Sequence, residues 1–263
     1  QINQWEKTMK IFKKNKEPLI MDCYTHSTYA YNHAKISFGK DYIPDWWKNT
    51  PQKCPVSGKS TIKNCRAFSE YHNSGIVVPL WGELEIEISS IKENTYKWEF
   101  SNKDIDVQQH LTDQWDGFSQ GKRHNFKLIS PWAIKMREAI RFSYSQPIWS
   151  QKEFFEHFTI LPGVLEFKYQ SSVELNYIVC PKKEKVVFRI PALTPMVMMH
   201  PMTERKIQIR HHLMNKEDLS VLHHGGGMVF RDNNNMASFY KSRKIFWDKA
   251  DKINSAPLTK KAR

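Results

Sequence analysis

The sequence predicts a mainly β protein: an antiparallel β-sandwich or barrel with short peripheral helices and a C-terminal helix. Three observations predict it. Between residues 126 and 201, runs of strand length with a mostly period-2 pattern succeed one another: Ile140, Phe142 and Tyr144 alternate with Arg141, Ser143 and Ser145, and Val173, Leu175, Tyr177 and Val179 alternate with Glu174, Asn176 and Ile178. Pro147, Pro162-Gly163, Pro181, Pro191 and Pro195 punctuate those runs where turns between antiparallel strands are needed. A chain of 263 residues with 40% hydrophobic and 13% aromatic content can also bury a substantial core.

The elements follow in order. Asn3 and Glu6 have the spacing of a capping box, and Trp5, Met9 and Phe12 recur at helical intervals, which predicts a basic amphipathic helix over residues 4–14 within an N-terminal segment 1–16. A β-rich core domain is expected over 17–224. Residues 18–25 form a compact apolar run, most simply a strand, and residues 42–47 read as an aromatic loop around Pro44. A short helix is expected over 64–73, with Gly75 as its stop. Residues 76–80 suit a buried strand. Leu84, Ile86 and Ile88 then alternate with Glu83, Glu85 and Glu87, a strand with an acidic face turned to water or to a basic partner. Residues 95–100 and 104–110 are further strands, and Ile207, Ile209, His211 and Leu213 alternate in a last one. Gly225, Gly226 and Gly227 form a hinge, after which Met236, Phe239, Tyr240, Phe246, Trp247 and Ala250 keep helical spacing. That makes residues 225–263 a glycine-linked basic helix near 236–254 with a frayed tail.

Charge narrows the partners. The net charge is +13, of which residues 1–16 carry +4 and residues 236–263 carry +6, so the long central part is only mildly basic. Lys241, Arg243, Lys244, Lys249 and Lys252 could hold nucleic acid weakly and without sequence preference through phosphates, although a solvated helix face has the same composition. No apolar run is long enough to span a membrane and no apolar region follows the first lysines, so a soluble protein is expected. Four scattered cysteines, Cys23, Cys54, Cys65 and Cys180, fit reduced thiols.

Two chemical motifs are imitated and fail on context. Residues 51–63 contain Gly58-Lys59-Ser60, but Lys53 stands where a phosphate-binding loop needs glycine, and no apolar strand precedes it. Gly117-Phe118-Ser119-Gln120-Gly121 has the spelling of a nucleophile elbow in a polar loop that offers no strand-to-helix turn. No histidine precedes an acidic residue at metal-ligand spacing; the pairs His211-His212 and His223-His224, and His110 with Asp113, are the remaining places to look. Adjacent histidines on a strand point to opposite faces.

Large aromatics gather in and beside the central strands. Trp81, Trp115, Trp132, Tyr144 and Trp149 are the candidate lining of a small-ligand pocket, for which simple core packing is the alternative. His110, Asp113, Glu166 and Asn176 are the polar groups that could converge on it. Neither a reaction nor a cofactor can be assigned on this basis.

Ile43-Pro44-Asp45-Trp46-Trp47-Lys48, Cys65-Arg66-Ala67-Phe68 with Val78-Pro79-Leu80-Trp81, Ser130-Pro131-Trp132-Ala133-Ile134-Lys135, and Leu161-Pro162-Gly163-Val164 leading to Pro195 and Pro201 form a spaced pattern over roughly residues 40–210. In that pattern the chain resembles an uncharacterised protein family of tailed phages of marine bacteria. The resemblance implies a phage-encoded accessory protein of the host cytoplasm and brings no catalytic residues. Residues 163–201 are also locally similar to the β-clip core of dUTPase-like nucleotide hydrolases, with Glu166 and Tyr169 near that family's acidic and tyrosine positions. They depart from it at Ala192-Leu193-Thr194-Pro195, where a glycine would be expected. The functions carried forward are a ligand-binding core that either only binds or acts as an enzyme on a small host metabolite; a structural or interaction protein holding an acidic partner through its basic ends; and a dUTPase-like nucleotide hydrolase.

Overall fold

The computed structural model describes residues 17–90, 95–101, 106–108, 124–150, 153–168, 170–179 and 185–220. The helices expected over 4–14 and 236–254, the glycine hinge, the loop around Ser119, and His110, Asp113, Trp115 and Tyr169 lie outside these residues, as do Lys241, Arg243, Lys244, Lys249 and Lys252.

The architecture is a layered β-sandwich of three open sheets, and no strand path among the described residues closes into a barrel. The main sheet is organised on β7 (His124–Lys135), the longest strand. Along one side β7 pairs antiparallel with β11 (Ser172–Val179), which pairs in turn with β9 (Phe158–Ile160). Along its other side it meets β6 (Asp106–Gln108) near its start and β1 (Leu19–Thr25) near its end. β14 (Ile207–Leu213) completes the sheet beside β1 and runs parallel to it, so the mainly antiparallel sheet is mixed at this edge. The first and last described strands are therefore neighbours.

The second sheet has the order β10 (Gly163–Glu166), β8 (Arg141–Ser145), β13 (Pro195–Pro201), β3 (Ile76–Pro79) and β2 (Ser37–Phe38). The third holds β12 (Val186–Ile190), β4 (Leu84–Ser90) and β5 (Thr95–Phe100). The period-2 pattern places Val173, Leu175, Tyr177 and Val179 of β11, with Phe126, Leu128, Trp132 and Ile134 of β7, in one core shared with Phe142, Val197 and Met199 of the second sheet. The Tyr177 hydroxyl crosses this core to donate to the Met196 carbonyl at 3.0 Å. The acidic face of β4 finds its basic partner within the chain: Arg189 and Lys185 beside β12 reach Glu85 and Glu87 at 2.6 and 3.2 Å.

Three short helices between residues 28 and 74 decorate the sheets. α1 (Thr28–Asn32) starts at Ser27, whose hydroxyl accepts from the Ala30 amide. The aromatic loop expected over residues 42–47 gives way from Asp45 to α2 (Asp45–Asn49), because Pro44 is extended and pre-set for a helix start and Lys63 Nζ donates to the Trp47 and Lys48 carbonyls at its end, each at 3.0 Å. α3 (Arg66–Ser74) is the helix expected over 64–73, shifted by one or two residues and preceded by a single 3-10 turn. Gly75 ends it in an extended conformation. Its glycine is required by packing: a Cβ there would stand 2.2 Å from Met198 Sδ and 2.8 Å from the Tyr71 carbonyl.

Candidate functional site

The aromatic residues proposed as a pocket lining are divided by the fold. Trp81 and Trp132 are fully buried members of the common core, and Trp132 Nε1 donates to the Ala34 carbonyl at 3.0 Å. Trp81 Nε1 is buried with no hydrogen-bond partner among the described residues. Tyr144 packs half-buried on that core with its ring against Gly163, where a Cβ would approach to 2.6 Å. Burial pushes the Tyr144 hydroxyl above its usual range, and the charge of Glu174 adds to the effect. Trp149 belongs to a separate cluster on α2 and α3, 4.9 Å from Phe68 in an edge-on contact. Glu166, on β10 opposite Arg141, and Asn176, on β11 opposite Lys127, each keep a buried side-chain oxygen without a partner among the described residues. Trp81 and Trp132 are enclosed in the core, whereas Glu166 and Asn176 sit on different sheets.

The densest convergence of polar chemistry is instead on the outer face of the main sheet. Alternation that sends Leu19, Met21 and Cys23 of β1 into the core sends Asp22 and Tyr24 to the other face. Parallel pairing sets Arg210 of β14 opposite Asp22, and antiparallel pairing sets Lys135 of β7 opposite it on the other side. Asp22 and Lys135 are both buried, at 5% and 3% exposure, a condition that charged residues tolerate only within a network. Arg210 grips the carboxylate with two hydrogen bonds, Nε to Oδ1 at 2.8 Å and Nη2 to Oδ2 at 2.9 Å. His212 Nε2 reaches the same Oδ1 at 2.8 Å.

Burial alone would raise the Asp22 pKa, but the hydrogen bonds from His212 and Arg210 and their charges more than reverse it, so the carboxyl is held below its usual range. An ionised carboxylate only accepts, so His212 must carry its proton on Nε2. With Nε2 committed to Asp22, Nδ1 is the ring nitrogen left to meet a ligand, and it has no hydrogen-bond partner among the described residues. The ring is held in place by Tyr24, stacked beneath it at 4.6 Å with 20° between planes. Tyr24 in turn is buried with Ala133 and Leu219, the latter from the helical residues 216–220 that fold back over this face.

His211 shows why the adjacent pair cannot act together: it points into the opposite layer, bonds to the Ile36 carbonyl at 2.9 Å and packs edge-on to Trp132. Sequence reasoning singled out the pair but missed Asp22 and Lys135. The available signal was a charged residue in the middle of each of two apolar strand runs, residues 18–25 and 131–136.

Among the described residues no group of three His, Cys, Asp or Glu side chains is placed to hold a metal ion, and Cys23, Cys54 and Cys65 are free thiols. The second histidine pair in space, His72 and His200, is tied to backbone carbonyls of Phe68 and Tyr71, and burial lowers the pKa of both. It sits under an aromatic stack and offers no carboxylate. No protein-family model, curated protein or solved structure matches the chain, so the chemistry of the site rests on its own side chains.

Proposed function

We propose that the protein binds a small polar ligand on the outer face of the main sheet, with His212 Nδ1 taking or returning a proton on it. The observation that supports this reading is the buried Asp22 carboxylate clamped by Arg210, which engages His212 Nε2, sets the orientation of the ring and leaves Nδ1 without a partner among the described residues. A carboxylate that orients an imidazole in this way is the usual support of a general base. Arg210 is about half exposed and uses only Nε and Nη2 on Asp22, so Nη1 is available to a negative group of the ligand. A ligand-binding core of this kind suits the accessory role on a small metabolite that the phage-family resemblance implies.

The test is a thermal-shift screen of metabolites and nucleotides on the wild type and on His212→Gln. The glutamine amide can still donate to Asp22 but supplies no base. A ligand that raises the wild-type Tm and fails to raise that of His212→Gln, with the two apo proteins melting within a few degrees of each other, supports the reading. Ligands that shift both proteins equally, or a full screen that shifts neither, refute it.

A further inference from the structure

A second surface, remote in sequence from Asp22 and independent of the ligand reading, carries its own chemistry. Residues 46–69 contain Lys48, Lys53, Lys59, Lys63 and Arg66 and no acidic residue, whereas residues 17–235 as a whole net only +3. The rest of residues 17–235 is thus slightly acidic, at a net −2. Within the basic stretch, residues 51–61 project as a finger. Lys53 and Ser60 form a bridge, the Cys54 amide donates to the Lys59 carbonyl at 2.8 Å, and Gly58 turns the tip at φ +67°. The base is clasped by the Thr61 amide and the Asn64 side chain, both donating to the Gln52 carbonyl.

The finger holds its cations outward. Among the described residues Lys53 and Lys59 are exposed and make no ion pair, and Arg66, with its side chain 91% exposed, makes only a long contact to Glu70 at 3.8 Å. At the foot of the finger lies an aromatic floor. Trp46 and Trp149 are half-buried and tilted to one another at 6.3 Å, with Trp46 Nε1 donating to the Trp149 carbonyl, and Ile148 beside them is 69% exposed. Behind them, Lys63 Nζ, Trp47, Phe68 and His72 stack in a continuous column, with spacings of 3.9, 5.0 and 4.3 Å, that makes the floor rigid.

We infer that the finger and its aromatic floor bind single-stranded nucleic acid. Outward cations track a phosphate backbone, and half-exposed tryptophans offer faces on which unpaired bases stack. A duplex fits less well, because its bases are already stacked and α2, with five residues, is too short to read a groove. The expected binding is tolerant of base sequence and steeply salt-dependent.

The experiment uses the full chain and a fluorescein-labelled oligothymidylate of about twelve nucleotides, followed by anisotropy from about 20 to 200 mM salt. Lys48 is already paired with Asp45 at 2.9 Å, so with three phosphate contacts, from Lys53, Lys59 and Arg66, log affinity should fall against log salt with a slope of about −2. Lys53→Glu with Lys59→Glu should weaken binding at least tenfold and reduce the steepness by about 1.4. Trp149→Ala should weaken it several-fold and leave the slope unchanged, since stacking releases no counterions. Four results overturn the inference: no binding at about 100 μM protein at low salt, unchanged binding by the double variant, a duplex of equal length bound as tightly, or displacement by polyglutamate as effective as by unlabelled oligonucleotide. The second would locate binding elsewhere in the chain, and the last would make the surface a seat for an acidic protein.

Discussion

Leu193 is the described non-glycine residue whose backbone is left-handed, at φ +66°. It occupies the third position of the turn closed by the Thr194 amide on the Pro191 carbonyl, where a side chain with a Cβ is strained by about 1–2 kcal/mol. The side chain is 44% exposed, so little burial is lost with it. Leu193→Gly should therefore stabilise the fold by about 0.5 kcal/mol, the relief of strain exceeding the entropy that glycine adds to the unfolded chain. Urea titration of Leu193→Gly beside Leu193→Ala checks this, because alanine retains the strained φ; equal midpoints for the two would remove the explanation. At Asp22 the opposite sign is expected. Asp22→Asn leaves Arg210 and His212 without the charge they are arranged around and should destabilise by about 2–3 kcal/mol, below the full value for a buried pair because Arg210 is about half in water.

Elements here are fixed by close backbone approach as much as by propensity. α3 is short and carries no side-chain hydrogen bond at its N-cap, yet its far end is seated where Gly39 N donates to the Gly75 carbonyl at 2.7 Å and both glycines crowd Met198. Gly75→Ala should destabilise by about 1–3 kcal/mol: the methionine can move, but the Tyr71 carbonyl at 2.8 Å cannot without unwinding the last turn. A melting temperature unchanged within a degree would show that the helix end has more freedom than its packing implies. The β1 and β14 pair shows the same dependence on distant parts. Seven residues of each run side by side, and the pairing is bolted by Asp22 with Arg210 and His212 across 188 or more positions of sequence. Closing a contact across so much chain costs loop entropy before it is rewarded, which makes such a pairing slow to form.

Three histidines give the whole molecule a pH dependence. Burial is the leading reason that His72, His200 and His211 all have pKa values below the ordinary 6.5, with backbone carbonyl hydrogen bonds opposing it in each case. The unfolded chain then binds protons more readily than the fold does, so the stability that these neutral rings contribute is complete above about 6.5 and is lost as the pH falls below it. Asp22 acts in a separate window, since its lowered pKa makes its contribution vanish only as the pH drops below its ordinary 3.8. The urea midpoint should thus decline between about pH 7 and 5, and His200→Gln should flatten that decline by removing one of the three groups. A midpoint that is level or rises on acidification contradicts the assignment.

Strand alternation made much of the architecture legible, because a half-buried strand must repeat every two residues: Val173, Leu175, Tyr177 and Val179 were readable as one face of β11 from their spacing alone. The same spacing predicted that His211 and His212 would part to opposite faces, as they do. Proline and glycine positions likewise marked the end of α3 and the turns around β10 and β13, although the reason for Gly75 was hidden, since its constraint comes from Met198, more than a hundred residues away. Pairing was beyond the sequence. Alternation says that a strand has two faces but not which strand lies beside it, and so it could not reveal that β14 lies parallel to β1 or that Lys135 and Arg210 flank Asp22. The aromatic side chains were ambiguous for a related reason: a tryptophan has the same spacing whether it fills a core, as Trp132 does, or stands at a rim, as Trp149 does, and only the neighbours brought up by the fold decide between them.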